Sequence, residues 1–404
     1  MITSNKQVED RTPARKPVEP ISYILICHSY PPVLGGSEVE AQRVSDELQR
    51  RGHRPRIVCA GGDPMPEVSE WVDPFDLRVR LYGRSVKPGR WRDTIYALGV
   101  AWSLLKERKD YEVAYFLMQG LHLATGVPMA KLLGKPIVMK FSCSSLVIGM
   151  QSSWIGRLEL KFLRWWADKI LILNEGMRQE ALDVGFAPER IDWMPNPVET
   201  DYFRPPTAKQ RAEVRQELGV DSDTPLIVFL GRLDHQKKLP WTLGAFAKAV
   251  KQRPEAVLAV VGDGPLREQV HQLARDLGIG SQVRFTGRVP TEGVLQWYQA
   301  ADACILVSEV EGLPCSLIEA MSTGVPPIVS NIPAHAQLVD DGVHGLLTEL
   351  GNEEDIARAI VRVIDDPDLR ARMSENCRQR MVEEFATARV VDRYEVLFTE
   401  CLNR

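Results

Sequence analysis

The chain has 404 residues, of which 44% are hydrophobic and 26% are charged, a composition ordinary for a soluble protein with room for two domains. Its net charge of −4 argues against a nucleic-acid-binding protein that is held by overall charge. The seven cysteines are scattered without a C-x-x-C pair, which favours reduced thiols over a disulfide framework or a zinc site.

The N-terminal residues 1–20 contain Pro, Lys, Arg and Glu but no apolar core. They resemble neither a signal peptide nor a membrane anchor, so we expect a disordered tail. The rest of the sequence has no run of the roughly 18 uninterrupted apolar residues that a membrane-spanning helix requires. We therefore expect a cytoplasmic protein that contacts, at most, the inner face of a membrane.

Apolar runs alternate with helical patterns twice along the chain, which predicts two domains of the α/β class. The first domain is expected to span residues 21–200. Its predicted strands cover residues 21–27, 56–60, 113–118, 136–141 and 170–173, and its predicted helices cover residues 37–51, 121–133 and 156–166.

The second domain is expected to span residues 201–385, after a proline-containing crossing. Its predicted strands cover residues 226–230, 256–261, 283–285, 303–307 and 327–329, and its predicted helices cover residues 241–253, 266–277, 295–300 and 315–323. A last helix, residues 386–404, can pack back on the first domain. Repeated βα units imply doubly wound, Rossmann-like parallel sheets whose carboxyl ends bind ligands, so the two domains should face each other across a central cleft.

A glycine turn, Gly35-Gly36-Ser37, follows the first predicted strand. Glycine lets the backbone approach a diphosphate or sugar closely, and Ser37 can cap the next helix. The turn is neither G-x-G-x-x-G nor a phosphate-binding P-loop. A plain capped turn explains this motif equally well.

A basic turn, Gly231-Arg232-Leu-Asp-His-Gln-Lys237-Lys238, follows the first strand of the second domain. Arg offers a planar fork of donors and Lys a point charge, which suit two adjacent phosphates. The carboxyl end of a strand is also where ligands lie in such sheets. The alternative is a solvated basic loop.

Two further strand-end turns contain Gly264 and the pair Arg288-Val289. Their backbone groups could frame a nucleobase, although each turn alone is more often structural. The D-x-D pattern at Asp221-Ser-Asp223 lies in a turn and is interpreted as a solvated loop. The seven histidines show no metal-ligand spacing, so we expect no metal.

Residues 311–324, with the sequence EGLPCSLIEAMSTG, contain two carboxylates eight positions apart, Glu311 and Glu319. A carboxylate at a helix start can accept hydrogen bonds from sugar or ribose hydroxyls, and the free N–H groups there can receive a phosphate. The spacing alone is a weak signal, because an amphipathic helix also carries such residues. The other motifs point to the same kind of ligand.

Together these motifs resemble the retaining nucleotide-sugar glycosyltransferases of family 4, which have the GT-B fold. The resemblance covers nearly the whole chain from about residue 21. It rests on the turn at Gly35-Gly36, on Met194-Pro-Asn196 with Phe203-Arg-Pro205, on Gly231-Arg232 with Lys237, on Gly262-Asp-Gly264-Pro265 and above all on residues 311–324.

The resemblance implies an acceptor-binding first domain and a second domain that binds a nucleoside diphosphate sugar without a metal or other cofactor. Arg232 and Lys237 would hold the donor diphosphate, with Lys238 a weaker candidate. Glu311 would lie beside the donor sugar, and together with Arg232 and Lys237 it forms the predicted catalytic set. Glu319 would bind the ribose hydroxyls.

The remaining implied contacts are made mostly by the backbone. The Gly312-Leu313-Pro314 backbone would approach the sugar and phosphate. Arg288 and Val289 would face the base with Gly264 nearby, and Gly35 and Gly36 would close over the diphosphate.

The sequence departs from the family pattern in two places. Many relatives have a His after the strand at 136–141, where this chain has Ser142-Cys143-Ser144-Ser145. His122 is a candidate substitute, although a His at a helix start is more often structural. Asn196 is followed by Pro197 instead of the usual Gly, which leaves its role open.

The expected reaction is transfer of a hexosyl unit from a nucleoside diphosphate sugar to a hydroxyl acceptor, with retention of the anomeric configuration. A UDP-sugar is the favoured donor and a GDP-sugar the second choice. The favoured biological context is polysaccharide or glycolipid assembly, and the second is glycosylation of a small molecule. The alternatives are an epimerase or phosphorylase of GT-B-like fold and a non-catalytic partner protein that binds nucleotide sugars.

A basic, aromatic helix in the first domain could rest on an anionic membrane. Its residues are Arg157, Lys161, Arg164, Trp165, Trp166 and Lys169. The alternative is an ordinary amphipathic helix that packs its Trp residues into the core.

Overall fold

The computed structural model describes residues 19–30, 35–60, 78–81, 89–144 and 146–403, with only the backbone described at 78–81 and 146. The predicted tail, apart from its last two residues, lies outside this part of the chain. So do the four residues before the glycine turn and Ser145.

The described part of the chain contains two sheets with helices packed against them. The strands are β1 (Ser22–Cys27), β2 (Arg54–Cys59), β3 (Arg78–Leu81), β4 (Val113–Leu117), β5 (Ile137–Lys140), β6 (Lys169–Ile172), β7 (Ile191–Trp193), β8 (Leu226–Leu230), β9 (Val257–Val261), β10 (Val283–Gly287), β11 (Ala303–Leu306), β12 (Pro327–Ser330) and β13 (Leu346–Thr348).

The helices alternate with these strands. They are α1 (Gly36–Arg50), α2 (Arg90–Lys106), α3 (His122–Leu132), α4 (Leu146–Gln151), α5 (Trp154–Trp166), α6 (Glu175–Asp183), α7 (Ala208–Glu217), α8 (Leu239–Ala249), α9 (Arg267–Asp276), α10 (Thr291–Ala300), α11 (Cys315–Ser322), α12 (Pro333–Ala336), α13 (Glu353–Asp365), α14 (Pro367–Arg380) and α15 (Thr387–Leu402), with a π-turn at Met381–Phe385.

Both sheets are doubly wound, as predicted. The first has the strand order β3-β2-β1-β4-β5-β6-β7 and the second the order β10-β9-β8-β11-β12-β13, and all strand pairs are parallel. In each sheet the order reverses beside the first strand, and ligands bind at the carboxyl ends of the strands at that point. Cys27 ends β1 and Leu230 ends β8, so these ends locate the site.

The central strands of the first sheet present alternate residues to two separate cores. On β1, Tyr23 and Leu25 join a cluster with α1 and α15, while Ile24 and Ile26 join a cluster with α2, α3 and α5. This alternation follows from the two-residue period of a strand. The first sheet therefore has α1 and α15 on one face and α2, α3 and α5 on the other.

Some elements were not indicated by the sequence patterns, among them α2, β3, β7 and β13. The strands are three or four residues long, and β3 alternates Arg with apolar residues at a sheet edge. Helix α2 has apolar residues on its buried and its exposed sides, which blurs the 3.6-residue period.

The chain passes between the domains twice. After β7 it crosses near Val198, which forms a parallel bridge with Ala386 where the chain returns. Helix α15 then packs against α1 and β4 of the first domain. On this surface His53 Nε2 lies 2.9 Å from Glu395 Oε1, and Arg51 Nη1 lies 2.8 Å from Asp392 Oδ1. The predicted helix at 386–404 thus lies on the first domain.

A buried carboxyl in α5 makes the stability of the protein pH-dependent. The Glu159 side chain is buried, and this burial raises its pKa from 4.5 to about 7. The folded protein therefore holds this proton more tightly than the unfolded chain does. The contribution of Glu159 to stability falls as the pH rises from about 4.5 to about 7, by at most about 3 kcal/mol.

We expect Glu159→Gln to be more stable than the native protein at about pH 8, with the difference shrinking toward about pH 5. Urea unfolding at both pH values measures it. Glu213→Gln, on the exposed surface of α7, is the control and should show no such trend. A Glu159→Gln difference that is the same at both pH values would contradict the assignment.

Candidate active site

Three loops join at the carboxyl edge of the second sheet. Gly231 N donates to Val261 O at 3.0 Å, and Gly262 N donates to Gly287 O at 2.9 Å, which links the loops after β8, β9 and β10. Gly262 has φ +140, and a Cβ there would lie 1.9 Å from Gly231 O. A Cβ at Gly264 would lie 2.4 Å from Leu233 O. These glycines let the loops pack directly on one another.

The predicted phosphate-binding cations lie on this edge in three different environments. Arg232 is exposed, with Nε 3.7 Å from Asp234 Oδ2. Lys237 is half-buried, and its Nζ lies 2.6 Å from Glu311 Oε1. Lys238, at φ 45, pairs instead with Glu309 at 2.8 Å. Arg232 is therefore available to an incoming anion, Lys237 already neutralises Glu311, and Lys238 is engaged elsewhere.

The 311–314 segment is held from the first domain through three successive carbonyl groups. Ser144 Oγ donates to Glu311 O at 2.5 Å, Asn174 Nδ2 donates to Gly312 O at 2.6 Å, and Asn196 Nδ2 donates to Leu313 O at 2.8 Å. Hydrogen bonds to buried carbonyl groups fix backbone orientation. The first domain therefore determines the position of the segment that precedes α11.

Gly312 permits a close approach between the domains. A Cβ at this position would lie 2.5 Å from Ser142 O and 3.1 Å from Cys143 Cα, and both of these are backbone atoms that cannot swing aside. The predicted acceptor-side residue Ser142 thus contacts the 311–314 segment through its backbone.

We expect Gly312→Ala to lower turnover by about 100-fold, because a displacement of about 1 Å in a site can have that effect. The steady-state rate measures it. Gly149→Ala is the matched control, since Gly149 lies on a helix with open space where a Cβ would be, and it should leave the rate unchanged. A Gly312→Ala enzyme with the native rate would show that the segment tolerates this shift.

The predicted glycine turn faces the start of α11. Cys315 Sγ lies 3.7 Å from Gly36 O, and a Cβ at Gly36 would lie 3.5 Å from the same sulfur. The predicted capping role of Ser37 is wrong. Gly35 is the N-cap residue of α1 and has no side chain that could cap it, and Ser37 lies within the first turn of the helix.

Glu319 meets a cation from the opposite domain. Arg43 Nη2, on α1, lies 2.8 Å from Glu319 Oε1, and both side chains are largely buried. Arg43 also donates from Nη1 to Pro197 O at 3.2 Å. Burial raises the pKa of Glu319, and the nearby Arg43 opposes this shift. The carboxylate predicted to bind ribose hydroxyls is therefore part of an ion pair that spans the cleft.

A buried polar network in the first domain supports Asn196. Lys140 Nζ forms a short contact with Glu40 and lies 3.4 Å from both Asn196 Oδ1 and Tyr394 OH. Burial lowers the pKa of Lys140 and raises the pKa of Glu40, because each charged form loses water. The network fixes the Asn196 amide, which in turn holds Leu313 O. Asn196 thus has a positioning role despite the Pro that follows it.

Three other predicted residues are Arg288, Val289 and His122. Arg288 is exposed and Val289 is half-buried, just after β10. His122 is buried at the start of α3, with its ring centroid 5.1 Å from that of Tyr96. Burial lowers the pKa of His122 to about 3, so its ring is neutral and a poor proton acceptor near neutral pH.

Sequence reasoning missed Arg43, Asn174, Lys140 and His335. Two of them could have been found from the sequence. Lys140 is a charged residue in the otherwise apolar strand β5, and Asn174 stands between a strand and a helix, where an Asn side chain often caps the helix. Arg43 gave no such signal, because its partner is 276 positions away. His335 is fully buried, and burial lowers its pKa to about 4. Its Nδ1 lies 2.9 Å from Ser330 O, at the carboxyl end of β12, so the ring is buried under the same edge of the second sheet.

Among the described residues, no group of three or more His, Cys, Asp or Glu side chains is arranged to hold a metal ion. Within the same ranges, no helix is both long and apolar enough to cross a bilayer.

Two protein-family models match this chain over most of its length. Residues 34–202 match the model described as Glycosyltransferase Family 4, and residues 210–380 match the model described as Glycosyl transferases group 1.

Individual relatives show the same class of protein. The chain is 23% identical to N-acetyl-alpha-D-glucosaminyl L-malate synthase of Bacillus anthracis, over 92% of this chain and 95% of that protein. It is 32% identical to the Escherichia coli UDP-Gal:alpha-D-GlcNAc-diphosphoundecaprenol alpha-1,3-galactosyltransferase, over 60% of this chain and 64% of that protein.

A solved structure shares the fold. The structure of Anabaena HepE in complex with UDP and glucose has a TM-score of 0.78 and 18% identity, and the match covers 94% of this chain and all of that chain.

The protein is a glycosyltransferase, as its two doubly wound domains and both family matches show. This chain belongs to the family 4 glycosyltransferases with the GT-B fold.

Proposed function

We propose that this protein moves a hexosyl unit from a nucleoside diphosphate sugar to a hydroxyl acceptor and retains the anomeric configuration. The observation that supports it most is the 311–314 segment, which lies between both domains with the Lys237–Glu311 pair at one end. UDP-sugars are the favoured donors and GDP-sugars the next. The galactosyltransferase from E. coli is named for a UDP-sugar, and the HepE structure contains UDP and glucose.

Arg232 and Lys237 would stabilise the departing diphosphate. Cleavage of the carbon–oxygen bond builds negative charge on the diphosphate and positive charge on the sugar, so fixed positive groups lower the barrier. Arg232 is exposed and can receive a phosphate without breaking a strong ion pair. Lys237 is held by Glu311 and would be shared between that carboxylate and the phosphate.

Glu311 would lie beside the donor sugar and Glu319 beside the ribose. To accept ribose hydroxyls, the Glu319 carboxylate would exchange its contact with Arg43 for contacts with the donor. The start of α11, with Gly36 opposite, would receive phosphate oxygens on its free N–H groups. These groups would replace a metal ion, so we propose a metal-independent reaction.

We propose same-face attack, in which the departing phosphate oxygen takes the proton of the acceptor hydroxyl. His122 and His335 both have lowered pKa values because they are buried, which makes them poor proton acceptors. Contact between the domains would exclude water and limit hydrolysis. Polysaccharide or glycolipid assembly is the proposed context.

The test is incubation with UDP- and GDP-sugars and a panel of acceptors in EDTA, followed by NMR of the anomeric proton. We expect transfer with the configuration of the donor. Inversion would rule out the mechanism, transfer only after a divalent cation is added would rule out metal independence, and epimerised donor without acceptor would indicate an epimerase.

A further inference from the structure

Exposed apolar side chains concentrate on one face of the first domain. Nine of the fifteen large hydrophobic residues that are exposed in the described part of the chain lie between residues 91 and 165, and they include all four exposed Trp residues. They belong to α2, α3, α4 and α5, where α3 packs against both α2 and α5. The nine residues are Trp91, Ile95, Leu98, Trp102, Leu105, Leu132, Ile148, Trp154 and Trp165.

Helix α2 carries five of these residues in a single stripe. They follow one another at intervals of four, three, four and three residues, which places them on one side of a helix about 25 Å long. Trp91 is 79% exposed, Leu98 61% and Trp102 58%. The opposite side of α2, with Tyr96, Val100 and Leu104, is already in the core. The side chains of the stripe therefore do not contribute to the core of this domain.

Cations surround the apolar residues. Six Lys or Arg side chains within α2–α5 are exposed, and none of the described Asp or Glu side chains of these four helices is exposed. The six cations are Arg90, Lys106, Lys131, Arg157, Lys161 and Arg164. The face is thus both apolar and positively charged.

The predicted basic helix supplies only part of this face. Trp165 is 54% exposed and Lys161 Nζ lies 4.5 Å from its ring centroid, as expected for a surface patch. Lys169, however, is buried and pairs with Asp192 at 2.7 Å, and Trp166 is half-buried and stacks on Phe162. The sequence pattern did not indicate α2, which contributes most of the apolar residues.

We propose that this face, formed by the exposed residues of α2–α5 and called the docking face, binds the surface of an anionic phospholipid bilayer. Trp residues favour the boundary between water and lipid, Leu and Ile enter the acyl region, and Lys and Arg attract anionic headgroups. A second copy of the chain fits less well, because pairing the docking face with itself would bring two cationic surfaces together.

The docking face reaches the mouth of the cleft. Ser144, which holds Glu311 O, is followed almost directly by α4 with the exposed Ile148, and then by α5 with the exposed Trp154. A protein bound through this face would hold its cleft next to the bilayer. If the proposed glycosyl transfer is correct, this position suits an acceptor whose hydroxyl group is carried by a lipid.

The test is flotation of the full chain with vesicles of equal parts phosphatidylcholine and phosphatidylglycerol at low salt, and with vesicles of phosphatidylcholine alone. We expect binding to the anionic vesicles that weakens with added salt. Leu98→Glu with Trp102→Glu should reduce the bound fraction at least about tenfold, and Arg157→Glu with Lys161→Glu should do the same. The exposed substitutions Val396→Glu and Lys209→Glu, outside the docking face, are the matched controls.

Circular dichroism verifies that each variant is folded. If a double variant does not fold, the single variant Trp91→Glu replaces it in the flotation assay. Absence of binding to anionic vesicles, or equal binding by variants and controls, would overturn the proposal. So would a native dimer, measured by light scattering, that Leu98→Glu with Trp102→Glu converts to monomer. Because no donor or acceptor is present, failure here would leave the proposed glycosyl transfer untouched.

Discussion

Replacement of Arg232 by alanine is expected to lower turnover by about 100- to 1,000-fold, because it removes a positive group aimed at the departing diphosphate. The melting temperature should stay within about 2 °C of the native value, since the side chain is 72% exposed and its contact with Asp234 is long. Turnover with donor and acceptor, and a thermal melt without ligand, measure the two effects separately.

Lys237 supplies the contrast that makes this prediction specific. Lys237→Ala should reduce turnover to a similar degree, but it should also lower the melting temperature. Its removal leaves the Glu311 carboxylate, 7% exposed, without its cation, which should destabilise the protein by about 1–3 kcal/mol. Near-native turnover in both variants would defeat the assignment of these cations to the diphosphate.

The second large effect is expected at the ion pair that joins the domains. Arg43→Met and Glu319→Gln should each reduce the free energy of unfolding by about 3 kcal/mol, because each leaves a largely buried partner without its counter-charge. The double variant should lose less than the sum of the two, with a coupling energy of about 1–3 kcal/mol. Urea unfolding of the four proteins provides the cycle.

The control is the exposed pair Lys209–Glu213, for which a coupling energy below about 0.5 kcal/mol is expected. If the Arg43–Glu319 cycle also gave a value this small, the pair would not hold the domains together in solution. The proposal that the Glu319 carboxylate leaves Arg43 in order to bind the ribose hydroxyls would then have no structural support.

The sequence predicted the features that arise from local patterns. The β8 strand, Leu226–Leu230, was predicted with its observed bounds, and the α/β alternation gave the two doubly wound sheets. These succeed because a buried parallel strand is a continuous apolar run, and Pro225 and Gly231 mark the two ends of β8. Glu311 was recognised from its motif, and the structure brings it to Lys237, a residue predicted independently.

The features that the sequence did not reveal depend on contacts distant in the chain. Arg43 looked like an ordinary polar residue of α1, and only the closure of two domains brings it to Glu319. Asn174 caps α6, and the same side chain also holds Gly312 O of the other domain. The α2 stripe went unseen because apolar residues on both sides of a helix remove the periodic signal that predicts it.

The most direct test of the account is a crystal structure of the protein with a UDP-sugar and no divalent metal. We expect the diphosphate within hydrogen-bonding distance of Arg232 and Lys237, the ribose at Glu319 and the hexose beside Glu311. A donor bound elsewhere, or one that leaves Arg232 and Lys237 without contact to phosphate, would contradict the central claim that these two cations stabilise the departing diphosphate.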